Sequence, residues 1–206
     1  MRRTGKTTLL RRICNPPPRK LVVVDTLGEF AQRGFARGVT VEEFRQILLT
    51  QDSYQIAVYP EGEDQFAYVC EAAAARRDIT LAIDELDAWC PTATHLPPRA
   101  VLNMALTGGH YNQTLIVITH RPASIHHSIW SQGVIWVFPM FDANDCATVV
   151  KHTRRPNLLE GVDPSGLQPT RTNYAGWIEA VELARVSPTD AMLIEFDLQT
   201  GILVEI

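Results

Sequence analysis

Short apolar segments alternate with helix-like segments in the first part of this 206-residue chain. They read KLVVVD, QIAVYP, ITLAID and QTLIVIT, and turn residues bound each of them. Strands that are apolar on both faces must be covered on both sides, which is typical of a parallel sheet between two layers of helices. Segments such as VEEFRQILL and EDQFAYVCEAAAARR supply those helices. The alternation therefore predicts an α/β fold.

The pattern weakens after residue 153, where Pro, Gly and Asn surround one helix-like stretch, GWIEAVELARV. The final segment, AMLIEFDLQTGILVEI, predicts two strands joined by a Gln-Thr-Gly turn, a β-hairpin. GVIWVF, ahead of the boundary, is predicted to be a further strand. We therefore predict a core at residues 1–153 and an extension of the same domain at residues 154–206.

Composition excludes several classes of protein. Apolar residues make up 46% and charged residues 20% of the chain, which is ordinary for a globular protein. No apolar run approaches the roughly 20 residues that a membrane span needs, and no secretion signal is recognisable, so we expect a cytoplasmic protein. The net charge of -4 excludes a uniformly basic surface but allows a local basic patch. The four cysteines form no C-x-x-C pair and are predicted to be reduced thiols.

The opening segment, TGKTTLL, contains the second half of the phosphate-binding pattern G-x-x-x-x-G-K-[ST]. Gly5 lets the backbone curve so that its N–H groups face a phosphate. Lys6 would reach the β- and γ-phosphates, the Thr7 hydroxyl would bind Mg²⁺, and Thr8 would contact the α-phosphate. These residues predict binding of ATP with Mg²⁺.

The first glycine of that pattern would lie one residue before Met1, and so would the strand that precedes such a loop. A parallel sheet without its central strand would leave buried hydrogen-bonding groups unpaired. We therefore expect the strand and the glycine to lie upstream in the translated protein. The alternative is a truncated loop that binds nucleotide without hydrolysing it.

A second motif, TLAIDELD, places two acids directly after an apolar strand. Asp84 is predicted to hold Mg²⁺, and Glu85 to polarise the water that attacks the γ-phosphate. Asp87 is predicted to be an exposed acid of a helix or loop.

A third motif, LIVITHRP, places polar residues after another apolar strand, where nucleotides bind in open α/β sheets. Thr119 and His120 could contact the γ-phosphate. Arg121 could reach a phosphate bound to its own or to a neighbouring subunit.

Together these motifs resemble the HerA/FtsK superfamily of P-loop ATPases. LVVVDTLGEF is similar to the superfamily segment V-x-D-x-x-G-E-[YF], in which Asp25 and Glu29 match. TGGHYNQTLIVITHRPASI resembles G-R-x-x-x-x-x-x-[LV]-[IV]-x-x-[TS]-Q-R-P, with His120 in place of the usual glutamine and Gly109 in place of the usual arginine. A structural role as a loop cap is also open for Asp25 and Glu29.

The resemblance implies a RecA-like P-loop NTPase fold with a mostly parallel sheet, here with the added hairpin and without its first strand. It also implies an ATPase that moves double-stranded DNA through a homo-oligomeric ring, a hexamer. Such a protein would be a viral or mobile-element genome-packaging motor, similar to the small packaging ATPases of membrane-containing viruses. Lys6, Glu85, His120 and Arg121 would be catalytic. Localisation would be the host cytoplasm or the virion, and a capsid protein or a nuclease would be a further partner.

Two residue assignments and the exact function stay open. The arginine that a neighbouring subunit inserts into the site could be Arg121, Arg99 or Arg154. The DNA-gripping residues could be Arg33, Arg37 or the basic opening segment. A HerA-like role in DNA-end processing, a protein-secretion ATPase and a non-hydrolysing assembly scaffold are the alternative functions.

Overall fold

The computed structural model describes residues 10–11, 13–32, 34–130, 135–137, 143–153, 182–186, 191–197 and 202–205. A five-stranded sheet forms the core, with strand order β2-β3-β1-β4-β5 and every neighbouring pair parallel. Its strands are β1 (Lys20–Val24), β2 (Arg37–Val39), β3 (Tyr54–Val58), β4 (Thr80–Ile83) and β5 (Thr114–Val117). This arrangement confirms the predicted α/β fold.

The central strands of this sheet are buried on both faces. Val22 pairs in register with Ile56 of β3 on one side and Leu81 of β4 on the other. Val22 and Val24 face one apolar core, whereas Leu21 and Val23 face another. The alternation of side chains along a strand thus splits one apolar run between two cores, which is why the run has no polar face.

Helices cover both faces of the sheet. They are α1 (Glu29–Gln32), α2 (Val41–Thr50), α3 (Glu63–Ala74), α4 (Leu86–Trp89), α5 (Arg99–Thr107), α6 (His127–Trp130) and α7 (Ala143–Thr153). Two 3₁₀ helices, Gly108–Tyr111 and Pro122–Ser124, flank β5. Helix α2 begins with a capping box, in which the Thr40 hydroxyl accepts from the Glu43 N–H and the Glu43 carboxylate accepts from the Thr40 N–H.

A second sheet is antiparallel, with strand order β6-β7-β8-β9. Its strands are β6 (Ile135–Val137), β7 (Glu182–Val186), β8 (Ala191–Asp197) and β9 (Ile202–Glu205). Pairing of β8 with β9 confirms the predicted hairpin, and the strand predicted in GVIWVF is confirmed as β6. The boundary predicted at residues 153 and 154 stays a prediction, because residues 154–181 lie outside the described part.

Two local predictions were wrong. GWIEAVELARV was predicted to be helical, but its last five residues form β7, because they pair with β6 on one side and β8 on the other. The second concerns the Gly-containing segment between KLVVVD and VEEFRQILL, which the sequence predicts to be a loop but in which Arg37–Val39 form β2. Its middle residue is Gly38, where a Cβ atom would lie 2.9 Å from the Cβ of Ala31, so the missing side chain lets α1 approach. Among the described residues, no helix combines the length and the apolar character that a membrane span requires.

Candidate active site

Three adjacent strands bring several of the predicted site residues to one edge of the sheet. Because β1, β4 and β5 are parallel neighbours, their carboxyl ends lie side by side. Asp25 follows β1, Asp84 and Glu85 follow β4, and Thr119 and His120 follow β5. We name this the carboxyl edge. It is the position at which open α/β sheets bind ligands.

Glu85 and His120 are in direct contact at the carboxyl edge. The Glu85 Oε1 atom lies 2.8 Å from His120 Nε2, and their side chains are 19% and 24% exposed. Glu85 adopts the left-handed conformation, with φ 55° and ψ 58°, which is uncommon for a residue with a side chain and costs on the order of 1 kcal/mol. This backbone geometry turns the chain from β4 into α4 and leaves the carboxylate beside His120.

The backbone of Asp84 is fixed by the neighbouring strand. Its N–H donates to the Val24 carbonyl at 3.0 Å, and its carbonyl accepts from the Thr26 hydroxyl at 2.7 Å. Thr26 in turn accepts from Trp89 Nε1 at 3.1 Å, and the Trp89 ring stacks on Phe66 at 4.7 Å. Asp84 is buried, and a carboxylate at a strand end is the hard oxygen donor that Mg²⁺ takes in nucleotide sites. The position therefore fits a magnesium ligand.

The loop after β5 is held by Asp87, a residue that sequence reasoning misjudged. Asp87 Oδ1 accepts from the Thr119 hydroxyl at 2.8 Å and from the His120 N–H at 3.0 Å. Thr119 Oγ1 in turn accepts from the Arg121 N–H at 2.9 Å. Asp87 is half-buried and engaged in long-range contacts, so the prediction of an exposed acid was wrong. Nothing in the local sequence signals this, because the donors lie on another strand end.

Arg121 extends from the same loop into solvent. Its side chain is 64% exposed, and its Nε atom lies 4.0 Å from Asp145 Oδ2 on α7. The buried Asp145 also accepts from the Ala123 N–H at 2.9 Å, which anchors the loop to α7. Arg99 is exposed at the start of α5, and Arg154 lies outside the described residues. The identity of a trans-acting arginine stays a prediction.

Asp25 has a structural role. One carboxylate oxygen accepts from the Glu29 N–H at 2.9 Å, and the other from the N–H groups of Phe30 and Ala31 at 2.9 and 3.2 Å. Gly28, at φ 70°, completes the turn that leads into α1. The buried carboxylate thus satisfies the amides at the start of α1, and the loop-cap alternative for Asp25 is confirmed.

The predicted phosphate-loop residues Gly5, Lys6, Thr7 and Thr8 lie outside the described part of the chain, as does Arg33. Their roles, and a strand preceding Gly5, stay predictions.

The cysteines are free thiols where the structure describes them. Cys14, Cys70 and Cys90 are all buried. Burial raises the pKa of Cys14 and Cys90 to about 11 and raises the pKa of Cys70 further, so these thiols stay protonated at neutral pH. The described residues contain no cluster of three or more His, Cys, Asp or Glu side chains able to hold a metal ion. A magnesium site would therefore also need oxygen ligands from nucleotide, water or the loop residues.

Comparison with known proteins identifies the fold. No protein-family model and no curated protein matches the sequence. Among solved structures, the chain is similar to the genome packaging NTPase B204 from Sulfolobus turreted icosahedral virus 2. The complex with sulfate superposes with a TM-score of 0.65 at 13% identity, covering 93% of this chain and 90% of that one.

Nucleotide complexes of the same NTPase are also similar. The AMPPCP complex gives a TM-score of 0.60 at 13% identity, over 99% of this chain and 92% of that one. The ATP-gammaS complex gives 0.61 at 12% identity, over 93% and 91%. The chain therefore has the α/β fold of these NTPases, although only 12–13% of the aligned residues are identical. The narrower resemblance to the HerA/FtsK superfamily stays a prediction.

Proposed function

We propose that this protein is an ATP-hydrolysing enzyme of the genome-packaging type. The observation that carries the proposal is the carboxyl edge, where Glu85 contacts His120 beside the buried Asp84. The likeness to an NTPase that binds AMPPCP and ATP-gammaS supports nucleotide as the ligand.

In this proposal Gly5, Lys6, Thr7 and Thr8 hold the phosphates of ATP, and Asp84 and Thr7 hold Mg²⁺. The bound cation would neutralise charge on the phosphate oxygens. The chain's own residues supply the remaining chemistry.

Glu85 is the residue that prepares the attacking water. Its carboxylate would accept a hydrogen bond from that water and orient it towards the γ-phosphate. His120, 2.8 Å from Glu85 Oε1, is placed to exchange this contact for one with the γ-phosphate. Binding and loss of that phosphate would then change the position of the loop after β5. An arginine from a neighbouring subunit, with Arg121 the exposed candidate, would stabilise the transferring group.

The scaffold alternative predicts nucleotide binding without turnover. A scaffold has no use for a carboxylate held in a strained backbone conformation beside the phosphate-binding edge, as Glu85 is. The structure therefore favours hydrolysis over the scaffold.

The partner in this proposal is double-stranded DNA, and the basic residues at the other edge of the sheet support it. We name this the amino edge, where the strands begin. Arg19 and Lys20 lie at the start of β1, and Arg76 and Arg77 precede the adjacent β4. Lys20 Nζ donates to the Arg77 carbonyl at 3.1 Å, and the Arg77 guanidinium lies 5.1 Å from the ring centre of the exposed Tyr111.

These cations form the local basic patch that a net charge of -4 allows. Arg37, an earlier candidate, lies 3.6 Å from Glu43 and is partly neutralised by it. Arg37 also lies at this edge, at the start of β2, but the four cations at the starts of β1 and β4 are the better candidates for phosphate-backbone contacts among the described residues. A homo-oligomeric ring, a hexamer, would turn such contacts into translocation, with a capsid protein as a further partner. The repair alternative, with a nuclease partner, shares all of these features.

Hydrolysis of ATP by the purified protein, with and without double-stranded DNA, tests the proposal. Glu85→Gln should reduce turnover by about 10²-fold or more while nucleotide binding is retained, since the amide cannot accept the proton of the attacking water. DNA should stimulate the wild-type rate. Glu61→Gln, an exposed acid that follows β3 at the same edge, is the matched control and should leave turnover unchanged. Nucleotide binding without wild-type turnover would favour the scaffold.

A further inference from the structure

Asp87 has no part in the reaction just described, yet its carboxylate makes the contacts that place His120. It lies in the first turn of α4, two residues beyond Glu85. Its Oδ1 atom accepts two hydrogen bonds, from the hydroxyl of Thr119 and from the N–H of His120, at 2.8 and 3.0 Å. Both donors belong to the loop after β5.

His120 is therefore approached by two acids that follow the same strand. Glu85 contacts its ring at Nε2, and Asp87 accepts from its backbone N–H. The hydrogen bond to Asp87 fixes the position of the His120 backbone, and that position determines whether the imidazole ring can contact Glu85. Thr119 extends the restraint, because its oxygen accepts from the Arg121 N–H at 2.9 Å while its hydroxyl hydrogen is donated to Asp87.

An acid in the first turn of a helix commonly stabilises its own helix through the unpaired N–H groups or the helix dipole. The two hydrogen bonds described for Asp87 instead cross 32 and 33 residues of chain to another strand end. Hydrogen bonds to a charged acceptor are stronger than those to a neutral one, and both of these are partly buried. They hold the loop rather than the helix.

We propose that Asp87 is a positioning residue, which holds the loop after β5 so that His120 meets Glu85 and can report on the γ-phosphate. This rests on the proposed function for its consequence, but the positioning itself is a property of the nucleotide-free protein. Removing the carboxylate releases Thr119 and His120 while Asp145 still anchors the loop at Ala123. His120 can then leave Glu85, which lowers the fraction of molecules in which the two are correctly placed.

The positioning is tested first without nucleotide, by NMR of the histidine ring signals in the full chain. The signal of His120 is assigned by its loss in His120→Ala. In Asp87→Ala it should move in the same direction as in Glu85→Ala, which removes the carboxylate that His120 Nε2 contacts. Asp64→Ala, which removes an exposed aspartate from the first turn of α3, is the control and should leave the signal in place. An unmoved His120 signal in a folded Asp87→Ala overturns the proposal.

A double-mutant cycle on turnover tests whether Asp87 acts through His120. Asp87→Ala should lower kcat about tenfold in the wild type but less than twofold in His120→Ala, because the residue it positions is already gone. Asp87→Asn keeps an acceptor oxygen and should restore part of the loss. An equal loss in both backgrounds would mean that Asp87 only supports the fold and would overturn the proposal. If the wild type hydrolyses nothing, the proposed function fails and the NMR result alone decides on Asp87.

Discussion

The two edges of the parallel sheet carry opposite charge. The carboxyl edge collects acids from several strand ends, namely Asp25, Glu61, Asp84, Glu85 and Asp87. The amino edge collects cations, namely Arg19, Lys20, Arg37, Arg76 and Arg77, against two exposed acids, Asp52 and Asp78, of which Asp78 accepts from Asn112 Nδ2 at 2.9 Å. Because all five strands run the same way, every strand start lies at one edge and every strand end at the other. A parallel sheet can thus separate two surfaces of different chemistry by the length of a strand.

The edges also differ in how tightly their side chains are held. Carboxylates at the carboxyl edge are fixed by backbone amides, three for Asp25 and one for Asp87. At the amino edge Lys20 and Arg76 donate to single carbonyl oxygens, whereas Arg19 and Arg77 are exposed. Catalysis requires side chains held in one position relative to the reacting atom, as at the carboxyl edge. Exposed, movable cations can bind the repeating phosphates of DNA without regard to sequence.

After that of Glu85→Gln, the largest expected effect on turnover is at Asp84. Asp84→Asn should lower turnover by about 10²-fold, equivalent to about 2.7 kcal/mol, because the neutral amide is a poor magnesium ligand. Raising the Mg²⁺ concentration should recover part of the rate. Turnover measured across a magnesium titration checks this, and a variant with the wild-type magnesium dependence would remove Asp84 from the site.

Asp25 tests whether a residue of the carboxyl edge can be required for stability without being required for catalysis. Asp25→Ala leaves three N–H groups at the start of α1 without their buried acceptor, and we expect a loss of about 3 kcal/mol in the free energy of unfolding. Urea unfolding measures it. The same variant, assayed at a urea concentration well below its unfolding midpoint, should retain turnover within about twofold of the wild type. A larger loss of turnover in the folded variant would mean that Asp25 takes part in catalysis.

Arg77 tests the amino edge. Arg77→Glu should weaken DNA binding about tenfold at low salt and reduce the slope of log affinity against log salt, because phosphate contacts are lost. Turnover without DNA should not change. Arg45→Glu on α2 alters the net charge equally and is the control. Equal effects of the two substitutions would show that overall charge, not this edge, attracts DNA.

Thr40 gives the smallest effect. It follows β2 at the carboxyl edge but serves only the capping box of α2. Thr40→Ala should cost about 1 kcal/mol of stability and leave turnover and DNA binding unchanged. Calorimetric unfolding measures the cost, and a change in turnover would extend the functional part of the edge to β2.

Local sequence was sufficient wherever one segment carried the whole signal. The apolar runs predicted β1, β3, β4 and β5, and the acids after β4 predicted the candidate site at Asp84 and Glu85. Local sequence failed where the structure of a segment depends on contacts with residues far away in the chain. The segment 182–186 is a strand because of β6 and β8, and Asp87 is engaged because the loop after β5 supplies its donors.

The sequence by itself determined the fold class, the strand ends that carry acids and the residue types that suit phosphate chemistry. These follow from side-chain periodicity and from chemistry within a few residues, which the sequence displays directly. Only the tertiary structure decided that Glu85 meets His120, that Asp25 caps α1 and that the cations before β1 and β4 lie together at the amino edge. Each of these depends on strand order, which is set by long-range hydrogen bonding and by packing of two cores that no single segment contains.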